Sequence, residues 1–254
     1  MAPRISQKIE SEDPRYYREW VKSPDLVKFR VTLKETDLLI SAEKDLTNHA
    51  IEMVWKYRNQ IETYIARDPH FKESLAPLSV DPFAPRIVRE MADAARRADV
   101  GPMAAVAGAV AEFVGRDLLD HSLQVMVENG GDIFLATKVR RKVSIFTEQE
   151  SLPSRVDFWI DPEKTPLGIC TSSGTEGPSF SFGKADAVTV VCPSAALADA
   201  LATAAGNMVG SGNDISRALD FLKAIPDVMA AAVFANGQMG FWGDLELAER
   251  TGLS

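Results

Sequence analysis

Residues 188–204 read VTVVCPSAALADALATA, and this stretch joins a strand, a sharp turn and a helix. The β-branched run up to Cys192 predicts a strand, Ala187 to Cys192. Pro193 cannot continue a strand ladder, and Ser194 is a residue type that caps helices, so a helix is expected from Ala195 to about Met208. The chain therefore belongs to a class that combines strands and helices in one core.

Two oxygen-bearing side chains of that helix, Asp199 and Thr203, are four positions apart and share one helix face. A carboxylate and a hydroxyl are ligands that suit Mg²⁺, which completes its shell with waters and ligand phosphates. On spacing alone, a simple acid near a helix N-terminus, stabilised by the helix dipole, is the more frequent case. Both interpretations stay open at this point.

Upstream, a turn with two glycines lies between two predicted strands and carries Asn129, Gly130, Gly131 and Asp132. Glycines supply turn geometry and bare backbone N–H groups, which can form an anion-binding nest. The alternative is an ordinary hairpin turn, which two glycines alone favour. The carboxylates of Glu128 and Asp132 on either side make it a candidate site.

A second loop follows the predicted strand that ends at Cys170, and its hydroxyls and glycine are candidates to bind a phosphate, a ribose or a ring carbonyl: Thr171, Ser172, Ser173 and Gly174. The alternative is a plain solvent-exposed Ser/Gly loop. Cys170 follows an apolar strand and has no histidine nearby in sequence, which favours a buried, inert thiol over a nucleophile.

Periodicity in the rest of the chain predicts alternating blocks of helices and strands. A hairpin over residues 27–43 precedes three helices, and short strands follow the third helix. The predicted helices are Asp45–Ala66, Pro85–Ala98, Pro102–Leu119 and Ile215–Ala224; the predicted strands are Leu123–Val127, Ile133–Val139, Lys142–Phe146, Val156–Ile160, Leu167–Cys170, Met229–Ala235 and Gln238–Trp242. An Asn236-Gly237 turn joins the last two strands.

Composition narrows the function classes. The 254 residues carry a net charge of -8, which argues against a nucleic-acid partner because phosphate neutralisation needs clustered Lys and Arg. No apolar stretch is long enough for a membrane span, and the N-terminus is too polar for a signal peptide, so no membrane association and a cytoplasmic location are expected. Two cysteines without paired spacing fit a reducing compartment. The oligomeric state stays open, a homo-oligomer included.

The first 24 residues are charged and lack apolar periodicity, so we expect a polar tail over 1–24 and a single domain of two intimate halves over 25–254. Three tail aromatics, Tyr16, Tyr17 and Trp20, could contact a surface or a protein partner.

The order of these motifs resembles the ApbE (FAD:protein FMN transferase) superfamily: a GGD turn (Gly130 to Asp132), a TSSG segment (Thr171 to Gly174) and the VTVVCPSAALADALATA stretch. The resemblance extends to a divergent branch through KETDL (34–38), VGPMAAVAG (100–108), VENGGDIF (127–134) and CTSSGTEG (170–177). It implies an α+β fold, a mixed α/β sandwich in which mixed sheets are flanked by helices. It also implies FAD or FMN as ligand, and Mg²⁺ bound by Asp199 and Thr203.

One segment departs from the superfamily. Its transferases carry a His-Ile-Ile-Asp-Pro segment before the VTV strand, whereas residues 178–186 here read PSFSFGKAD, shorter and without the histidine. The resemblance therefore implies a Mg²⁺-dependent transferase or hydrolase acting on a flavin or a related phosphorylated nucleotide, with an altered substrate side. The alternatives are a non-catalytic flavin- or nucleotide-binding module, an enzyme of sulfur or thiol-metabolite assembly that would use Cys170, and an assembly partner for a redox complex.

Overall fold

The computed structural model describes residues 24–146, 155–172, 185–244 and 246–248. Six helices and eleven strands are described in these ranges. The helices are α1 (Thr47–Arg67), α2 (His70–Glu73), α3 (Arg86–Ala98), α4 (Val106–Leu118), α5 (Ala195–Met208) and α6 (Ile215–Lys223). The strands are β1 (Val27–Leu33), β2 (Thr36–Ala42), β3 (Val125–Asn129), β4 (Asp132–Ala136), β5 (Arg141–Phe146), β6 (Arg155–Ile160), β7 (Leu167–Ser172), β8 (Ala187–Cys192), β9 (Ala230–Ala235), β10 (Gln238–Gly243) and β11 (Glu246–Leu247).

Eight strands form one large sheet in the order β1-β2-β3-β4-β7-β8-β9-β10. Every pairing between described strands is antiparallel. The family resemblance implied mixed sheets, whereas the described strands pair only in antiparallel orientation. At β8 and β9, for example, the connection contains two helices, α5 and α6, rather than the single crossover helix that joins parallel strands. The α+β class is confirmed.

The position of each strand in the sheet follows from its side chains. The central strand β8, AVTVVC, is buried at every residue because both faces of the sheet are covered there. The edge strand β1 buries only Phe29 and Val31 and exposes Lys28 and Arg30, and such charges protect a sheet edge from pairing with other chains.

The helices cover one face of the large sheet, with α5 at the centre of this layer. Alanine-rich α5 packs against β7 and β8 below it and against α3, α4 and α6 beside it. Small side chains let the neighbouring backbones approach closely. As a result, ten residues of α5 besides Thr203 are buried: Ala195, Ala196, Leu197, Ala198, Ala200, Leu201, Ala202, Ala204, Ala205 and Gly206.

The other face of the large sheet is covered by a second sheet of three strands, β11-β6-β5. Its Val143, Phe158 and Ile160 are buried in a separate apolar cluster with large-sheet residues such as Leu135 and Phe234. The described part of the chain therefore forms three layers, a helical layer, the large sheet and the small sheet.

The predicted elements are close to the observed ones, with local differences. The helix expected from Pro102 to Leu119 begins as a 3-10 turn, Pro102–Ala105, before α4. The short helix α2 was not predicted, because Pro69 ends α1 but also has the backbone geometry that begins another helical turn. Asn236 and Gly237 have φ of 49° and 74°, the values that the predicted hairpin turn requires.

Among the described residues, no single helix has the length and apolarity needed to span a membrane, although the bent pair Arg86–Ala98 and Pro102–Leu118, at 106°, passes on length and composition taken together.

Candidate functional site

The GGD turn connects β3 to β4, with Gly130 at φ 65° and Gly131 at φ 103°. Both values favour glycine, which explains the two consecutive glycines. The backbone N–H of Gly131 donates to the Glu128 carboxylate at 2.9 Å, so the protein's own side chain already occupies one of the turn's donors. The turn thus has the hairpin geometry, and it also positions Asp132 at the first residue of β4.

The start of α4 lies beside this turn. The Asn129 side-chain amide donates to the Ala107 carbonyl at 3.0 Å, and the Gly108 N–H donates to the Asp199 carboxylate at 2.9 Å. A Cβ added at Gly108 would lie 2.3 Å from the Ala195 carbonyl oxygen and 2.8 Å from the Asp199 Cβ. The missing side chain at this position therefore allows α4 to approach α5 closely enough to bind Asp199.

The end of β7 lies on the other side of the turn, because Ile133 on β4 pairs with Ile169 on β7. The Thr171 N–H donates to the Asp132 carboxylate at 3.3 Å, and the Thr171 and Thr189 hydroxyls are 2.8 Å apart. Ser172 is the last residue of β7 and is half-buried. Ser173 and Gly174 lie outside the described residues.

Asp132 and Asp199 form a pair of enclosed carboxyl groups that influence each other. Burial raises the pKa of Asp199 to about 7, although its bonds to the Gly108 and Ala107 N–H groups act in the opposite direction. Burial, and next the negative charge of Asp199, raise the pKa of Asp132 well above its usual range. Desolvation and repulsion both disfavour the ionised forms. A cation bound between the two groups would relieve the repulsion.

Asp199 retains some solvent contact, whereas Asp132 is only 6% exposed. Thr203, one helical turn after Asp199 on α5, is buried. Among the described residues, no group of three or more His, Cys, Asp or Glu side chains is arranged to hold a metal ion. A magnesium ion here would therefore rely on at most two carboxylates, with hydroxyls, waters and ligand oxygens completing its shell.

Cys170 is fully buried beside these carboxyl groups, and its thiol lies 3.2 Å from the Ala195 carbonyl oxygen. Burial raises the pKa of this thiol well above its ordinary value, and the charges of Asp132 and Asp199 raise it further. Because the thiolate is the nucleophilic form, the geometry favours the inert interpretation of Cys170.

Two residues that hold this region together were not singled out from the sequence: Gly108 and Glu112. Glu112 is 7% exposed on α4 and accepts from Ser194 Oγ at 2.9 Å, from Ala195 N at 2.7 Å and from Ala196 N at 3.3 Å. Ser194 in turn accepts from Leu197 N at 3.3 Å, as its predicted capping role requires. A lone acid in an apolar, Ala-rich helix was the available signal for Glu112.

The structure thus brings together, at one end of the large sheet, the GGD turn, the end of β7, the start of α4 and the middle of α5. The sequence-predicted residues linked to it by contacts are Asn129, Gly131, Asp132, Thr171 and Asp199. Gly130, Ser172 and Thr203 lie on the same elements. We call this region the carboxylate site.

Comparison with known proteins defines the class of this fold. Two solved structures superpose over most of the chain. The flavin transferase ApbE from Vibrio cholerae has a TM-score of 0.57 and 15% identity, and the match covers 85% of this chain and 96% of that one. The apo form of the Pseudomonas stutzeri flavinyl transferase ApbE has a TM-score of 0.58 and 14% identity, and the match covers 88% of this chain and 94% of that one. At such identities the likeness establishes an ApbE-like fold.

Sequence comparison defines the family more closely. The family model described as "AbpE bacteria" matches residues 18–239. A UPF0280 protein of Methanocella arvoryzae is 36% identical over 84% of this chain and 87% of its own length. Another, of Methanocaldococcus jannaschii, is 39% identical over 86% and 91%. The chain therefore belongs to this ApbE-like family, in the divergent branch that contains the archaeal UPF0280 proteins.

Proposed function

We propose that the carboxylate site binds a flavin nucleotide, or a closely related phosphorylated nucleotide, together with Mg²⁺, and acts on its phosphoanhydride as a transferase or hydrolase. The observation that carries the proposal is the convergence of Asp132 and Asp199 at the end of the sheet, inside a fold shared with flavin transferases. Two buried carboxyl groups, of which Asp199 raises the pKa of Asp132, form a suitable partner for a divalent cation.

The donor set fits magnesium. Asp199 and Asp132 offer carboxylate oxygens and Thr203 offers a hydroxyl, all hard ligands of the kind that Mg²⁺ prefers. When bound, Mg²⁺ would neutralise charge on the ligand's phosphates and on the leaving phosphate. Asp199 and Thr203 are the proposed first ligands, and Asp132 supplies negative charge beside them.

The protein's own groups have defined tasks in this proposal. The Gly108 N–H holds the Asp199 carboxylate in a fixed orientation, and the Thr171 N–H does the same for Asp132. The bond from Asn129 to Ala107 fixes the GGD turn against the start of α4. These backbone contacts place both carboxyl groups without relying on flexible side chains, as precise ligand positioning requires.

The reaction we propose breaks the P–O–P link of a dinucleotide such as FAD. Attack by water on the flavin-side phosphorus gives FMN and AMP, whereas attack by a hydroxyl acceptor gives a flavinylated product and AMP. Residues 178–186, PSFSFGKAD, lack the histidine segment of the superfamily's transferases. This difference favours water or an unrelated acceptor over a protein threonine.

Isothermal titration of the full chain with FAD in the presence of Mg²⁺, followed by chromatographic detection of FMN and AMP, tests the proposal. We expect binding in the micromolar range and release of AMP that requires Mg²⁺. Asp199→Asn should lower turnover by at least about 100-fold, because it removes the charged metal ligand. Asp220→Asn, on the exposed face of α6, is the matched control and should change nothing.

The outcomes separate the candidates. Tight FAD binding without AMP release would support the non-catalytic binding module, whereas no binding of FAD, FMN or Mg²⁺ would contradict both flavin proposals. Normal turnover by Asp199→Asn would refute the metal assignment. The thiol-metabolite alternative requires a reactive Cys170, and its burial beside two carboxyl groups gives that alternative no support.

A further inference from the structure

A second cleft, of about 480 Å³, lies where β8 turns into α5 and is bordered by α1, the start of α3 and α4. Ser194, on its wall, follows the end of β8, whereas the carboxylate site lies beside the start of β8, where Val188 pairs with Ser172. Both regions adjoin the first turns of α5: Glu112 of the cleft binds Ala195 N, and Asp199 of the carboxylate site follows about one turn later. The volume is within the usual range for small-molecule sites.

The cleft is lined by three cationic and three acidic side chains, so its formal charges cancel. The cations are Lys56, Arg86 and Arg116, and the acids are Glu90, Glu112 and Asp117. The three carboxylates would repel a polyphosphate, and the three positive groups would repel a simple cation, so neither class of ligand is favoured. A ligand with one positive and one negative charge complements the charges that line this cleft.

Some of these charges already have several protein partners. Glu112 accepts from the start of α5 and pairs with Arg116 at 2.8 Å. Asp117 accepts from the Tyr57 hydroxyl at 2.6 Å and from Lys56 at 3.0 Å. These contacts fix the inner part of the wall.

Arg86 and Glu90 differ, because their mutual contact of 3.4 Å is a weak hydrogen bond. Within the described ranges, the terminal nitrogens of Arg86 and the second carboxylate oxygen of Glu90 make no other hydrogen bond. The Arg86 guanidinium lies 5.7 Å from the centre of the Phe113 ring, which restricts its orientation. One donor group and one acceptor group are thus available at the mouth of the cleft, beside an aromatic surface.

We propose that this cleft binds a small zwitterion of the amino-acid class. The ligand carboxylate would pair with Arg86, and the ligand ammonium would pair with Glu90; the only hydrogen bond of these two side chains within the described ranges is their weak mutual contact. The Phe113 ring would contact the ligand's apolar part. The lining of this cleft shares no residue with the carboxylate site, and the proposal does not depend on the function proposed there.

Isothermal titration of the full chain with each of the twenty protein amino acids, without flavin or metal, tests the proposal. At least one should bind with a Kd between about 1 µM and 1 mM. The strongest ligand is then compared with its deaminated acid and its decarboxylated amine. Each should bind at least about tenfold more weakly, because each lacks one of the two charges.

Arg86→Gln and Glu90→Gln should each weaken binding at least about tenfold, because one charge pair is lost. Both side chains are well exposed, at 72% and 45%, so neither change should unfold the protein. Arg96→Gln, on the same helix but outside the cleft, is the matched control and should bind normally. The proposal is overturned if no amino acid binds, if the acid alone or inorganic phosphate binds equally well, or if both variants bind like wild type.

Discussion

Two places on helices α4 and α5 contain enclosed carboxylates, and they differ in how the charge is compensated. At the start of α5, Glu112 receives three donors from residues 194–196 and an ion pair from Arg116. About one turn later, Asp199 lies beside Asp132; burial raises the pKa of both carboxyl groups, and the charge of Asp199 raises the pKa of Asp132 further. A buried charge with hydrogen-bond and ion-pair partners stabilises the fold, whereas two neighbouring buried carboxyl groups favour the binding of a proton or a cation.

Neutralising Glu112 should have the largest effect on stability. Glu112→Gln weakens charge-assisted bonds to the start of α5, and we expect the free energy of unfolding to fall by about 3 kcal/mol. Chemical denaturation monitored by circular dichroism measures the loss. Glu52→Gln, an exposed position on α1, is the matched control and should stay within about 0.5 kcal/mol of wild type. Equal stability of the two variants would remove the distinction drawn between the two carboxylate positions.

Separating the two helices should have the next largest effect. Gly108→Ala places a Cβ 2.3 Å from the Ala195 carbonyl oxygen, so α4 must move away from α5. Overpacking of this kind costs about 2 kcal/mol. The N–H bond to Asp199 should be lost as well, and FAD turnover should fall with stability. Gly210→Ala, where the nearest atom is 3.6 Å away, serves as the control. An unaffected Gly108→Ala protein would show that the close approach of α4 and α5 is dispensable.

Neutralising Asp199, which lies beside Asp132, should not lower stability, in contrast to Glu112→Gln. Asp199→Asn removes one of the two negative charges, so at pH 8 without metal the free energy of unfolding should stay equal or rise, by on the order of 1 kcal/mol. Turnover should be lost in the same variant. A large destabilisation at pH 8 would mean that Asp199 is a structural residue like Glu112.

The pH dependence of stability follows from the same pair. Burial raises the pKa of Asp199 to about 7, so between its unfolded value and about 7 the folded protein binds more protons than the unfolded one. The contribution of this group to stability is therefore complete at low pH and is lost as pH rises through about 7. Denaturation curves between pH 5 and 8 should show this decline in wild type and a flatter profile in Asp199→Asn. An identical slope in both proteins would contradict the assignment.

Labelling of the thiols should show the smallest effect. Burial raises the pKa of Cys192 to about 12 and that of Cys170 well above its ordinary value. Neither thiol should react with a maleimide at pH 8 within minutes while the protein is folded, and both should react after denaturation. Mass spectrometry after quenching measures the modification. Rapid labelling of native Cys170 would restore the thiol-metabolite alternative.

Most helices and strands could be predicted from the sequence because each depends on residues that are neighbours in the chain. The β-branched run before Cys192, the Ser194 cap and the Asn236-Gly237 turn each specify a conformation through neighbouring residues, and the strand, the cap and the turn are found as expected. The all-antiparallel order was not predictable in this way, since it depends on the return of the chain through two helices between β8 and β9. The division into a tail and a single domain stays a prediction.

The candidate site was predictable only in parts. The family resemblance indicated the GGD turn and Asp199, and contacts connect them in the structure. Gly108 and Glu112 act across more than 80 positions of sequence, on Asp199 and on the start of α5, and no local pattern encodes such a separation. The proximity of Asp132 to Asp199 likewise arises from strand register rather than from spacing in the chain.

The start of α5 has a further consequence for ligand recognition. The N-terminus of a long helix is a ready anion site, and nucleotide-binding folds often use it for phosphates. In this protein a resident carboxylate, Glu112, already occupies that position and takes the N–H groups of Ala195 and Ala196. The chain thus supplies its own anion there, so the N-terminus of this helix is not open to the phosphates of a nucleotide.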